Sequence, residues 1–277
     1  MVKTAIVTGS SSGFGELIAI ELAKTGFQVI ATMRNLNKKE HLLKLAEAEE
    51  VKDKITIYQL DVTRHETIEK FKEYIQCLDS VDLLVNNAGY AQGGFSEELS
   101  VGEYRTQFET NFFGVIAVTN AILPYMRKQG SGRIINMSSI SGRFGFPGLS
   151  AYVSSKHALE GYSESLRLEL KPLGIDVVLI EPGSYKTNIW QSIENVSLSN
   201  ESPYELMKDS ILKILTTGQD SYGNPHDVAR LAAQIASNEN TPTLRYPIGK
   251  GVKNMIQLKN FLPWKTIERI LLKKLKI

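Results

Sequence analysis

The chain has 277 residues, 42% apolar and 22% charged, the composition of an ordinary globular protein with material for one sizeable core. Its 32 basic residues face 30 acidic ones for a net charge of +2, so no uniform basic field points to a nucleic-acid partner. No apolar run approaches the ~18 residues of a membrane span. The single cysteine, Cys77, excludes an internal disulfide and is expected to be a small, mostly buried side chain in a reducing compartment.

Short β-branched runs alternate with longer helical patterns. Thr4 to Thr8 reads as a strand, Gly15 to Lys24 as a helix, Gln28 to Thr32 as a strand and Lys38 to Glu50 as a charged helix. Ile55 to Leu60 is a strand, Glu66 to Ile75 a helix, Val81 to Val85 a strand, and Tyr104 to Lys128 one long helix. Arg133 to Met137, Ala151 to Leu170 and Ile175 to Ile180 repeat the strand, helix, strand order. The near-continuous apolar strands are those of a sheet buried on both faces. Strict alternation with right-handed crossovers leaves a doubly wound parallel sheet as the simplest topology. The expectation is an α/β Rossmann-type fold, three layers α/β/α, in one domain over 1–277. Residues 188–224 break the alternation, being polar and weakly helical, and read as a substrate lid. A helix near Asp227 to Ser237 and a strand near Leu244 to Ile248 follow, and 259–277 is a basic amphipathic tail. The start, Met1 to Gly9, is too short an apolar stretch for a secretion signal, so a cytoplasmic protein is expected.

The first strand runs into Thr8-Gly9-Ser10-Ser11-Ser12-Gly13-Phe14-Gly15 at the mouth of a helix. Glycines there let a backbone approach a pyrophosphate, and a helix N-terminus offers unpaired N–H groups to it. The spacing G-x-x-x-G-x-G differs from the usual dinucleotide fingerprint. No Asp or Glu lies between Glu21 and Glu40, the span that would hold a carboxylate for the ribose 2′-hydroxyl of NAD. Arg34, at the end of the second strand, stands where the 2′-phosphate of NADP would lie, so NADP(H) is expected over NAD(H). A plain solvated loop charge is the other reading of Arg34.

Tyr152 and Lys156 are four apart in a helical pattern and so share a face. An adjacent ammonium is expected to lower the tyrosine pKa towards neutrality, making it a proton donor and acceptor. Ser139 ends the preceding strand, on the sheet edge where ligands bind in such folds. With one cysteine and no His-x-x-His pair, no metal site is expected.

TGSSSGFG at 8–15, NNAG at 86–89, Asn111, Ser139 and YxxxK at 152–156 together resemble the short-chain dehydrogenase/reductases, and the likeness runs from residue 1 to about 190. The wording ATMRN and SGRFGFPGLSAY is most similar to the hydroxysteroid and retinol dehydrogenase branch. The resemblance implies that Gly9, Gly13 and Gly15, with Ser11, Ser12 and Phe14 between them, shape a cofactor turn. It implies that Asp61, beside Val62, bonds the adenine amino group, and that Asn87, Ala88 and Gly89 pass near the adenosine ribose. Asn111 would hold a water in a proton relay to Lys156. Ser139 would orient the substrate oxygen, Tyr152 would transfer its proton, and Lys156 would bind the nicotinamide ribose. Pro182, Gly183 and Thr187 match the segment that meets the carboxamide. On the residues alone, Asp61 equally serves to start a helix, and Asn111 to satisfy backbone groups at a helix kink.

The stretch between Ser139 and Tyr152 should line a substrate pocket. Ile140, Phe146 and Leu149, with Tyr185 from beyond the sixth strand, make an apolar wall suited to a small apolar alcohol or carbonyl compound, although the phenylalanines equally suit a core. The expected function is hydride transfer between NADP(H) and such a compound, with Tyr152 as general acid/base, in a homodimer or homotetramer without nucleic-acid or membrane partners. The rival reading is a non-catalytic NADP(H)-binding sensor, associated with a membrane surface through the tail; an intact Ser139, Tyr152 and Lys156 set speaks against it. For the tail, docking on the body is the alternative to lying on anionic lipid.

Overall fold

A computed structural model describes residues 2–187, 202–218 and 222–275. Seven parallel strands form one sheet: β1 (Thr4–Val7), β2 (Gln28–Met33), β3 (Ile55–Gln59), β4 (Leu83–Asn86), β5 (Gly132–Met137), β6 (Ile175–Pro182) and β7 (Arg245–Ile248). Their spatial order is β3-β2-β1-β4-β5-β6-β7. The chain winds outward from β1 to β3, then returns to lay β4 on the other side of β1, with Ala5 opposite Leu83. That reversal opens a crevice at the carboxyl ends of β1 and β4, the ligand position of open α/β sheets.

The crossovers carry α1 (Gly13–Lys24), α2 (Glu40–Ala48), α3 (His65–Ile75), α4 (Val101–Phe108), α5 (Gly114–Gln129) and α6 (Ser150–Leu170). After β6 come α7 (Glu205–Gly218), α8 (Pro225–Ser237), α9 (Val252–Phe261) and α10 (Trp264–Lys274). Successive strand residues point to opposite faces. Ala5, Val7, Ile135 and Val178 therefore meet Ile18 and Leu22 of α1, Leu42 of α2 and Val228 and Ala232 of α8. Ile6, Ile134 and Val177 meet Phe71 of α3, Ile122 and Met126 of α5 and Leu166 of α6. These two buried layers are the reason the strands lack polar alternation, and the fold is the single doubly wound domain expected.

Three details differ from the sequence reading. The long helix expected over Tyr104 to Lys128 is two helices joined by a π-helical turn, Glu109–Phe113. The segment expected to be weakly helical contains the 14-residue α7. Cys77 is exposed, not buried, just beyond the end of α3. The tail docks on the body, one of the two readings the residues left open: Lys259 Nζ donates to Arg143 O, and Ile267 of α10 and Leu275 are buried, while Val252 and Ile256, just before the tail in α9, pack on Phe144. Phe261 and Trp264 remain exposed. No helix among the described residues is long and apolar enough to cross a membrane.

Candidate active site

The glycine turn is fixed from the β4 side. Thr8 Oγ1 accepts the N–H groups of Asn87 and Ala88, both at 3.0 Å. Asn87 Nδ2 donates to Thr8 O at 2.9 Å and Gly9 O at 3.1 Å. Gly9 has φ +69°, and a Cβ there would lie 2.7 Å from Ala88 Cα, so the two loops meet backbone to backbone. Gly13 also has positive φ, +64°, but a Cβ there would meet nothing within 4 Å. Ser12 is the N-cap of α1 and makes no side-chain cap bond, which leaves the first-turn N–H groups available beside that open space. Partly buried Ser11 and Phe14 and exposed Ser12 complete the turn. A glycine cradle, free helix N–H groups and room above them fit a dinucleotide pyrophosphate.

Arg34 is exposed at the end of β2, with its carbonyl held by Gln59 Nε2 at 3.2 Å. Its charge reaches the Tyr90 phenol: burial pushes Tyr90 up, and Arg34 opposes that rise. Asp61 leaves β3 on the same edge, but its Oδ1 accepts Thr63 N at 3.0 Å and Thr63 Oγ1 at 2.7 Å. That is a turn leading into α3, the structural role the residues alone allowed. Val62 is buried against Gly114, where a Cβ would lie 2.8 Å from Val62 Cγ2.

Helix α6 carries Tyr152, Lys156 and Glu160 one turn apart, all buried. Ser139 lies beside Tyr152 and draws its phenol down against burial, and Ser139 Oγ accepts Ser141 N at 3.0 Å, opening a short turn over Ile140–Gly142. Lys156 Nζ donates to Met137 O at 2.6 Å and sits 5.7 Å from the Tyr152 ring centre. Lys156 does not lower the tyrosine pKa as expected: burial pushes Tyr152 up to about 12, opposed only by Ser139. Burial lowers Lys156 to about 8, and Glu160 raises it partly back. At neutral pH the phenol therefore keeps its proton and the lysine is mostly ammonium. Such a phenol is a proton donor first.

Asn111 lies on the π-helical turn, where a local change of pitch re-aims one side chain. Its Oδ1 accepts Tyr90 N at 3.1 Å, and its Nδ2 donates to Tyr90 O at 2.9 Å and Ser155 Oγ at 3.3 Å. It thus braces the loop after β4 against α6, the backbone-satisfying role the residues allowed. A Cβ on Gly89 would lie 3.0 Å from Asn111 Oδ1, so Gly89 is what lets the two approach.

Leu149 packs with Tyr152 and Ala91, and around them stand Phe146, Val153, Ile211 and Leu215. Ile211 and Leu215 belong to α7, which therefore covers the tyrosine. Tyr204, just before α7, stacks on Phe95 at 4.4 Å. Ile140 and Phe146 also lean on the Phe144, Val252 and Ile256 cluster, so the wall is braced by the tail. Tyr185 is a correction. It is buried in the α1-side core, edge-on to Phe14 at 5.5 Å, because Gly223 leaves room for its ring; it supports the glycine turn and does not line the apolar cluster around Tyr152. Pro182 pairs in register with Ile248, Gly183 N donates to Ile248 O at 2.9 Å, and Thr187 N donates to Tyr185 O at 2.9 Å. Beyond Thr187 the neighbouring Ile189 and Trp190 lie outside the described residues.

The sequence reading missed two features. Asn86 Nδ2 donates to Asn136 Oδ1 at 2.9 Å and Thr119 Oγ1 at 3.0 Å, and Asn136 Nδ2 donates to Ser163 Oγ at 2.9 Å, pinning β4, β5, α5 and α6 together. Asparagines at equivalent positions of two apolar strands were its signal. The other is a charge cluster of the buried Glu160 and Glu181 with the partly exposed Arg143 and Arg245, which no local spacing marks.

The short chain dehydrogenase profile matches residues 3–197. The uncharacterized oxidoreductase YusZ of Bacillus subtilis is 51% identical over 280 residues, covering 99% of this chain and 98% of its own. Retinol dehydrogenase 8 of Homo sapiens is 35% identical, covering 88% of this chain and 80% of its own. A short-chain dehydrogenase from Streptomyces avermitilis superposes with a TM-score of 0.80 at 34% identity, covering 99% of this chain and 96% of that one. The structure of ElxO with NADP bound gives 0.76 at 28% identity, covering 92% and 100%. The chain belongs to the short-chain dehydrogenase/reductase family and is an oxidoreductase of that family.

Proposed function

We propose that this protein transfers a hydride between NADP(H) and an apolar carbonyl or alcohol, and that Tyr152 hands its phenolic proton to the substrate oxygen during carbonyl reduction. One observation carries the reading: a buried Tyr152 beside Ser139, kept protonated by burial, with Lys156 Nζ 5.7 Å from its ring centre. In this reading the glycine turn, Arg34, Asn87 to Gly89 and Pro182 to Thr187 hold the cofactor, which supplies or receives the hydride. Ser139 and Tyr152 bind the substrate oxygen from two sides, and proton transfer from a positioned donor accounts for about 10²–10⁴-fold in rate. Leu149, Phe146 and the α7 residues Ile211 and Leu215 give the rest of the substrate an apolar, water-excluding wall. Closure of α7 over Tyr152 is the proposed lid function. NADP is the bound cofactor of ElxO, and a retinoid is the substrate in the name of the human relative; both accord with this reading. A screen of apolar aldehydes, ketones and alcohols against NADPH, NADH and their oxidised forms, read at the absorbance of the reduced nicotinamide, tests it. Turnover with NADPH and an apolar carbonyl, abolished in Tyr152→Phe, is the expected result. Undiminished turnover in Tyr152→Phe would overturn it.

A further inference from the structure

Three consecutive residues, Met137 to Ser139, each face one residue of α6, in a single stripe. Ser139 stands by Tyr152 and draws its phenol down against burial. Met137 O accepts Lys156 Nζ at 2.6 Å. Ser138 Oγ donates to Glu160 Oε1 at 2.5 Å. Residues 152, 156 and 160 stand at i, i+4 and i+8, so one face of the helix meets the strand end at three successive points, the last two hydrogen-bonded. Gly142 presses on the third point: a Cβ there would lie 2.8 Å from Ser138 Oγ and 2.9 Å from Glu160 Cγ. The strand end and the short turn after Ser139 thus close around the Glu160 side chain.

Glu160 is also the anion placed one turn from Lys156. Its other oxygen, Oε2, accepts Arg245 Nε of β7 at 2.9 Å. Around this pair stand Glu164 of α6, 2.5 Å from Arg245, Glu181 of β6, 3.3 Å from Arg245, and Arg143 of the loop after Ser139, 3.1 Å from Glu181. Lys259 of α9 closes the group through the Arg143 carbonyl. Glu160 is buried at 5% exposure and Glu181 at 1%. A buried carboxylate is costly and persists where its charge and lone pairs are used. Arg245 pairs with both glutamates and Arg143 with Glu181, and Glu160 stands one helical turn from Lys156, where its charge raises the lysine against burial.

We propose that Glu160 is a positioning residue for the reaction: it clamps Ser138, and through it Ser139, against α6, and it gives Lys156 its counter-charge from within the protein. This deepens the proposed function and rests on Ser139 and Lys156 acting there as described. The two halves separate by mutation. Glu160→Gln keeps an acceptor for Ser138 and removes the charge. Ser138→Ala cuts the clamp and leaves the charge.

The test uses the full chain with ε-¹³C-labelled lysine, the Lys156 resonance being assigned by its absence in Lys156→Arg. NMR titration without turnover reads the lysine directly. Glu160→Gln is expected to move the Lys156 midpoint down by about one pH unit, the size of effect one close charge produces, and to move the alkaline limb of kcat/KM down with it. Ser138→Ala is expected to leave the midpoint in place and to lower kcat several-fold with KM for NADPH unchanged. Glu160→Asp, which retains the anion, should return the midpoint towards that of the unaltered protein. A Glu160→Gln midpoint equal to that of the unaltered protein overturns the counter-charge. An unaltered kcat in Ser138→Ala overturns the clamp, and this variant decides the matter if Glu160→Gln does not fold. Failure of the enzymatic reading itself looks different: no NADPH-dependent turnover in the unaltered protein, with the NMR shift still present.

Discussion

Gly13 and Gly15 stand two residues apart in one turn and resist substitution for different physical reasons. At Gly15 the backbone is ordinary, but a Cβ would fall inside 3 Å of both Gly9 O and Asn87 Nδ2. Asn87 cannot step aside cheaply, since its Nδ2 holds Thr8 O and Gly9 O at 2.9 and 3.1 Å. Displacing it forfeits two hydrogen bonds at about 1 kcal/mol each. Forcing the methyl into packed surroundings costs about 1–3 kcal/mol more, and replacing helical glycine by alanine returns up to about 1 kcal/mol. Gly15→Ala is therefore expected to destabilise by about 2–4 kcal/mol and to weaken NADPH binding, because the loop that shapes the turn moves. At Gly13 a Cβ meets open space and only φ +64° resists, so Gly13→Ala costs about 1–2 kcal/mol. Urea denaturation followed by circular dichroism gives both stabilities, and fluorescence titration gives both affinities. Equal destabilisation by the two alanines, or a Gly15→Ala protein that binds NADPH like the unaltered one, would show that the Asn87 contact does not govern the turn.

Tyr152→Phe is expected to lose nearly all turnover while keeping NADPH affinity, since it removes only the transferable proton; kcat and cofactor Kd measured on the same sample check this. Arg34→Ala should weaken NADPH by about 1.5–3 kcal/mol, the worth of a hydrogen bond to a charged group, with NADH little affected; equal losses for both cofactors count against the 2′-phosphate contact. Glu181 is pushed up to about 7 from an ordinary 4.5, by burial first and by Glu160 second. The folded protein therefore holds this proton more tightly than the unfolded chain, and the contribution to stability present below pH 4.5 drains away as pH rises to about 7. Glu181→Gln should remove that part of the slope in urea midpoints measured across this window. An identical slope in both proteins would exclude Glu181 as its source.

The strands were readable because both faces of the sheet are buried, which turns each strand into an unbroken apolar run such as DVVLI at 176–180. The glycine turn and the Tyr152 and Lys156 pair were readable because backbone approach and helical spacing are local properties of the chain. The sequence did not disclose the π-helical turn at Asn111, since an extra residue in a helix leaves the surrounding apolar pattern nearly intact. Nor could it assign Tyr185, whose partners Phe14 and Gly223 come from distant segments. Reasoning from the four-residue spacing gave the wrong direction for Tyr152. Burial pushes the phenol up, with Ala91, Leu149 and α7 packed around it, and burial is a property of the assembled molecule. The charge cluster is the same kind of case. Arg143, Glu160, Glu181 and Arg245 come from a loop, a helix and two strands across about a hundred residues of chain. Each reads alone as a surface charge, and only the meeting of β6, β7 and α6 brings them together and takes the two glutamates out of water.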